Sequence, residues 1–300
     1  MEPTGASRWP SGETAVATAA ATDRRGGPLV PPPLVEPGPR GLGDWRGLWR
    51  PALGFGTLLA VLVAWELASR ARLLNPQFFP PVTEILGTFF QLWANNVFPP
   101  HLAATLWRMA LGYTIAALLG IGLGLLMGRW RGLYELFEPI VEFLRPMPPV
   151  ALIPVLILLV GIGDEMKVII VVFAAVFPIL LNTIDGVQSV HPTLLDVART
   201  FHFGEAVTLR RVILPAALPQ IMAGLRISLA IALIVALVSE MIGATAGMGY
   251  FVLQAQRGLR IRDMYAAIVM LALLGYTLNW LFLLVEGRVL AWHRASTGQE

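Results

Sequence analysis

Long apolar runs alternate with short polar connections along most of this chain. Six of the runs reach or approach the roughly 18 residues that cross a bilayer's hydrocarbon core. They lie at about 51–70, 104–128, 143–160, 166–184, 216–243 and 265–287. This pattern predicts an all-α, polytopic membrane protein with about six transmembrane helices.

Two runs carry internal detail. In the second, Ala116, Gly120, Gly124 and Gly128 repeat every four residues and form one smooth ridge. Small residues at that spacing let another helix approach closely in lipid, so the ridge predicts helix packing rather than substrate contact. The third run is short, beginning near Phe143, and is interrupted by Pro146, Pro148, Pro149 and Pro154. Each proline removes a donor and strains a helix. Irregular backbone at membrane depth is tolerated only where protein or a water-filled cavity covers it. The third pass is therefore expected inside the bundle, with Pro149 and Pro154 as candidates for the translocation pathway. The sequence 161-GIGDE-165 supplies the turn after it.

The connection between the fourth and fifth runs is charged and partly amphipathic. His191-Pro192 fits a helix start, with Pro at the first helical position. Leu194, Ala198 and Phe201 fall on one face, with Leu195 beside them; Asp196, Arg199 and Thr200 fall on others. The result is an amphipathic helix too short to span. Gly204 breaks it, 205-EAVTLRRVI-213 forms a second piece, and Pro215 and Pro219 mark the return into the bilayer. The first helix could lie flat on the membrane or be gripped by another protein.

Composition fits a membrane protein: 56% of residues are hydrophobic and 14% charged, where a soluble domain carries about 25% charged residues. The absence of Cys excludes disulfides, thiol catalysis and Cys-based metal sites. A net charge of +3 with scattered Arg residues suggests no nucleic-acid partner. Residues 1–50 are rich in Pro, Gly, Ala and Arg and are expected to be disordered. The run 15-AVATAAAT-22 is too weakly hydrophobic for a signal peptide. Trp45 and Trp49, beside Arg46 and Arg50, suit either a short interfacial helix or a loose tail. With a cytoplasmic N-terminus, Arg40, Arg46, Arg50, the 129-RWR-131 turn, Arg199, Arg210, Arg211, Arg288 and Arg294 lie inside. They outnumber Arg70, Arg72, Lys167, Arg257, Arg260 and Arg262 outside, so both termini are expected in the cytoplasm.

Ionisable residues within the runs are functional candidates. Arg226 lies about ten residues into the fifth run, roughly 15 Å deep; it could meet an anionic substrate or pair with a carboxylate or helix carbonyls. Glu240, near the end of that run, could line a gate or pair with Arg257. Glu66 and Arg70 are spaced as an i,i+4 pair. Asn182 and Asn279 are expected to join helices by hydrogen bonds. The four His residues show no ligand spacing, and 243-GATAGMG-249 lacks the Lys-Ser/Thr of a phosphate loop.

The stretch 196-DVARTFHFGEAVTLRRVILP-215 resembles the "EAA" loop of permease subunits of bacterial ATP-binding-cassette importers. That pattern is Glu-Ala-Ala, three residues, Gly, nine residues, Ile, one residue, Leu-Pro. Here the spacing holds, with Asp196-Val197-Ala198 first, His202 at the Gly position, Val212 at the Ile position and Leu214-Pro215 last. Gly204 stands two residues after His202. The segments 145-RPMPPVALIPVLILLVGIGDEMKV-168, 177-FPILLNTIDGV-187, 214-LPAALPQIMAGLRISLA-230 and 239-SEMIGATAGMGYFV-252 are similar to the branch importing nitrate, sulfonates and taurine.

The resemblance implies a type I importer permease fold over residues 51–293, with a core at 101–290 and the coupling loop at 190–213. It implies pairing with a second permease copy, attachment of two ATPase subunits, and delivery by a periplasmic or lipid-anchored binding protein. ATP and Mg would sit on the partner ATPase, with no cofactor on this chain. Asp196, Val197, Ala198, Arg199, Phe201, His202, Gly204, Leu214 and Pro215 would carry the coupling. The rival class is an ion-coupled secondary transporter, which needs acidic residues near the midplane; here they crowd at run ends and loops. A membrane enzyme would need a polar cluster that the sequence does not display.

Overall fold

The computed structural model describes residues 45–292, with side chains from residue 56 onward; the segment expected to be disordered lies outside them up to residue 44. The chain divides into units 1–59 and 60–300. The first contributes the opening turns of α1 (Trp45–Arg70). The second holds everything that follows.

Every element among the described residues is helical: α2 (Val82–Ala94), α3 (Phe98–Arg129), α4 (Arg131–Leu144), a 3-10 turn (Pro149–Leu152), α5 (Ile153–Val160), α6 (Asp164–Gln188), α7 (Pro192–Thr200), α8 (Glu205–Thr208), a π turn (Leu209–Ile213), α9 (Leu214–Met241), α10 (Met248–Arg257) and α11 (Ile261–Val289). Among the described residues, α3, α6, the continuous helix Glu205–Met241 and α11 are long and apolar enough to cross a membrane, and α4 with α5 makes one more if the bent pair is a single span. The first apolar run lies within α1.

The centre of the bundle is α6, which explains how the small residues are used. Gly112 sits on Val171, Gly120 on Ile179, Gly124 on Thr183 and Gly128 on Val187. The pairing keeps one offset throughout, so α3 and α6 run parallel. A Cβ added at Gly124 would stand 2.6 Å from the Thr183 Cβ, and one at Gly128 2.7 Å from that of Val187. Ala116 is fully buried in the same row. Gly122, off the ridge, faces open space. On its other side α6 meets α9 running the opposite way: Gly224 packs on Asn182, Gly186 on Ala217, and the Ser228 hydroxyl donates to the Ala175 carbonyl at 2.8 Å.

Two parallel helices need a return pass between them, and residues 131–160 provide it. This pass departs from the sequence expectation. It begins at Arg131, right after the corner at Trp130, rather than near Phe143. It then bends by 86° across residues 145–148. Pro146, Pro148 and Pro149 deny the backbone three helical donors over that break. Two further helices were not expected. α2 packs along α11, with Arg262 on Glu84 at 2.9 Å, and α10 follows the 243–247 turn.

The re-entry at Pro215 also differs. Leu214-Pro215 does not stop the helix; Glu205–Met241 is continuous. The π turn ends with the Leu214 N–H donating to the Leu209 carbonyl, five residues back. This widened turn accommodates the Pro215 ring, which would otherwise clash with the carbonyl four residues earlier.

Candidate functional site

Three places bring chemistry-bearing residues together. The first is α7 with the bend after it. His191 caps the helix, its Nδ1 accepting the Thr193 N–H at 3.3 Å. Leu195 packs on the cluster of Val187, Val190, Ile213 and Ala217, and Ala198 is buried beneath it. The expected apolar face therefore divides. Ala198 turns inward with Leu195, while Leu194, Val197 and Phe201 turn outward, at 45%, 47% and 68% exposure. These three recur at helical spacing and make one exposed apolar edge. Asp196 and Arg199 flank it as an exposed pair at 3.0 Å.

The bend is a Schellman closure. The Phe203 N–H donates to the Ala198 carbonyl and the His202 N–H to the Arg199 carbonyl, both at 2.9 Å. His202 occupies the left-handed position with φ of 54°. That conformation is the reason glycine suits this position, since a Cβ there costs about 1–2 kcal/mol. Gly204, by contrast, has an ordinary φ of −64°, so the joint is His202 itself. Behind the bend, Glu205 receives a two-pronged contact from Arg129 at the end of α3: Nη2 at 2.8 Å to Oε1 and Nε at 3.2 Å to Oε2. Neither residue stood out in the sequence.

The second place is the opposite end of the bundle. Glu240 is fully buried, and its cation is Arg108 of α3, at 2.9 Å, not Arg257. Its other oxygen accepts from the Thr105 hydroxyl at 2.9 Å and the Gly249 N–H at 3.0 Å. Arg108 also donates to Asp164 at 2.8 Å and to the Ala246 carbonyl at 2.7 Å. The 243–249 segment is stitched on by Gly247 N–H to His101 Nδ1 at 3.1 Å and Met248 N–H to the Thr105 hydroxyl at 2.8 Å. Gly247 has φ of 130°, and a Cβ there would run into the Glu240 carboxylate. Lys167, buried nearby, donates to the Gly163 carbonyl at 2.9 Å. A buried charge is tolerated only when paired and hydrogen-bonded, and here every charge is. This network closes one end of the fold. Arg108 lies inside an apolar run, the one signal in the sequence that could have revealed it.

The third place is a cavity of about 400 Å³ beside the break in the third pass, walled by Arg145, Pro149, Phe173, Phe177, Leu181 and Asn182 among others. Pro149 thus lines a cavity, while Pro154 is exposed on α5. Arg226 lies elsewhere, in a smaller cleft of about 230 Å³ with Gly275 and Asn279 of α11. Its Nη1 is 3.9 Å from Glu286, an ion-pair separation too long for a hydrogen bond. The structure therefore does not bring Arg226, Glu240 and Pro149 to one point. Asn182 donates to the Pro178 carbonyl at 2.8 Å. Among the described residues, no three His, Asp or Glu side chains converge in a way that would hold a metal ion.

Residues 116–291 match the family model described as the binding-protein-dependent transport system inner membrane component. The taurine transport system permease protein of Escherichia coli (strain K12) is 32% identical over 80% of this chain and 90% of its own length. A putative aliphatic sulfonates transport permease protein of Bacillus subtilis (strain 168) is 30% identical over 88% of this chain and 93% of its own length. An inward-facing structure of a methionine ATP-binding-cassette transporter superposes with a TM-score of 0.56 at 20% identity, over 63% of this chain and 94% of the matched one. The parallel α3–α6 seam, the folded-back third pass and the exposed α7 are thus parts of a type I importer permease fold, and the chain belongs to the family of inner membrane components of binding-protein-dependent transport systems.

Proposed function

We propose that this chain is the permease subunit of an ATP-driven importer for a small anion, such as an aliphatic sulfonate, taurine or nitrate, and that α7 couples it to ATPase subunits. The observation that carries the coupling is the exposed edge of Leu194, Val197 and Phe201 on a helix rooted by Ala198 and Leu195. An apolar edge held rigidly above the bundle suits insertion into a groove on a partner. The anion class comes from the taurine and sulfonate permeases that this chain resembles.

In this reading the α7 end is cytoplasmic, as are both termini, and the Glu240 end faces the outside. Two copies of the chain enclose the pathway, two ATPase subunits grip the two α7 helices, and a periplasmic or lipid-anchored binding protein delivers the anion. ATP and Mg sit on the ATPases. Closure of the ATPase dimer draws the two α7 helices together, and hydrolysis resets the assembly, a rigid-body switch. The force path runs through the His202 bend and the Arg129–Glu205 clamp into α3 and α9.

Co-expression with an ATPase and a binding protein of this importer class, followed by uptake in proteoliposomes, tests the proposal. ATP-dependent uptake of taurine, ethanesulfonate or nitrate is expected, lost in Val197→Asp and Phe201→Asp while the chain still inserts. Uptake by the chain alone, without an ATPase, would point to an ion-coupled secondary transporter instead.

A further inference from the structure

The cavity beside the broken third pass sets an arginine together with two aromatic rings. It extends along α6 from Phe173 to Asn182, from roughly 14 Å to roughly 27 Å along a helix of roughly 37 Å. It therefore lies at bilayer depth. Its wall is apolar and aromatic, with Phe173 and Phe177 rings packed edge-on at 5.2 Å. Pro178, also on the wall, leaves the Ala174 carbonyl without its helical donor. Into this setting the break places one cation, Arg145. Its side chain is 56% exposed, and its carboxylate neighbour is Glu142, one turn earlier, at 3.5 Å from Nη1. Most guanidinium donors are thus uncommitted. The arginines inside the apolar runs are placed differently: Arg108 is saturated by two carboxylates and a carbonyl, and Arg226 lies in a separate cleft against α11, 3.9 Å from Glu286.

An arginine turned to a cavity at membrane depth marks a pathway for charged cargo. A guanidinium matches the paired oxygens of a planar or tetrahedral oxyanion. We propose that Arg145 is the anion-contacting residue of the translocation pathway, holding a sulfonate or nitrate group against the Phe173–Asn182 wall of α6 as it passes. This rests on the importer reading above and adds to it the residue that meets the cargo. The proline break then has a purpose beyond bending the chain: it brings the guanidinium of the third pass to the flank of α6.

The chain's lack of cysteine makes the test direct. In the full transporter with its ATPase and binding protein, Leu181→Cys puts one thiol on the cavity wall. An anionic methanethiosulfonate is expected to label it several-fold faster, relative to a cationic one, when Arg145 is present than in Arg145→Gln, and millimolar taurine or nitrate should slow the labelling. An unreactive thiol, or a labelling ratio unaltered by Arg145→Gln, would overturn the proposal. Should Arg145→Gln fail to assemble, Glu142→Gln decides: freeing Arg145 of its neighbour should raise the anion preference, and an unchanged ratio counts against the assignment. Uptake is measured on the same vesicles. A wild-type complex that moves none of taurine, ethanesulfonate or nitrate defeats the importer reading for those anions, while the labelling ratio still judges Arg145.

Discussion

The two ends of the α6 bundle are built on opposite plans. At the Glu240 end, Arg108 of α3, Lys167 of α6 and Glu240 of α9 are buried, Asp164 completes their pairing from the surface, and the 243–249 turn is hydrogen-bonded onto them. At the α7 end, charges are exposed, one two-pronged contact ties the loop to α3, and the α7 edge of Leu194, Val197 and Phe201 faces outward. A buried ion pair is costly to break, because removing one member strands the other away from water. An exposed pair contributes little. The first end is therefore the rigid one. The second keeps its shape through packing and helix closure, and its surface remains available.

Substitutions can break this contrast, and they should do so in graded steps. The largest loss is expected for Arg108→Ala, about 3–5 kcal/mol, because Glu240 is left buried without a cation; thermal unfolding of the detergent-purified protein reads it, and Glu240→Ala should cost less, because Arg108 keeps Asp164 and the Ala246 carbonyl. Next comes the seam that joins the two ends. Gly124→Ala should cost about 1–3 kcal/mol through overpacking against Thr183, while Gly122→Ala, which meets nothing, should be neutral or slightly stabilising. A melting temperature equally lowered by both would refute the register described for α3. His202→Gly should stabilise the fold by about 1 kcal/mol by relieving the left-handed Cβ, and a loss there would mean that the imidazole makes a contact worth more than the strain. The smallest effect is expected for Arg129→Gln, under about 1 kcal/mol. Because the clamp also lies on the proposed force path, ATPase stimulation should fall more in that variant than stability does.

The sequence foretold the seam well, because a four-residue repeat of small side chains has few uses in lipid and the ridge of Ala116, Gly120, Gly124 and Gly128 is visible without a partner. It also foretold that prolines would interrupt the third pass, though not that the pass starts at Arg131, because Glu135, Glu138 and Glu142 line a polar face along α4 and hide the helix from a plain hydrophobicity count. The spacing around 196–215 located α7 and its bend. The division of its face was hidden, since Ala198 is drawn in by the neighbouring Leu195 contact, a tertiary event. The Arg108–Glu240 network was the least legible. Arg108 and Glu240 come from separate helices 132 residues apart in the chain, and only folding makes them neighbours. Arg145 belongs in the same class: as part of a proline-rich string it reads as a loop residue, and only the 86° bend sets it against α6.

The π turn at Leu209–Ile213 has one more consequence. A single extra residue in a helix advances everything after it by about 100°. The helix Glu205–Met241 must satisfy two neighbours that see different sides of it: Glu205 has to meet Arg129, while Gly224, Ser228 and Ala232 have to meet α6. One uninterrupted helix fixes the angle between those two faces. The widened turn is a phase adjuster, so deleting one residue from 209–213 should leave a good helix whose two halves can no longer both be in register.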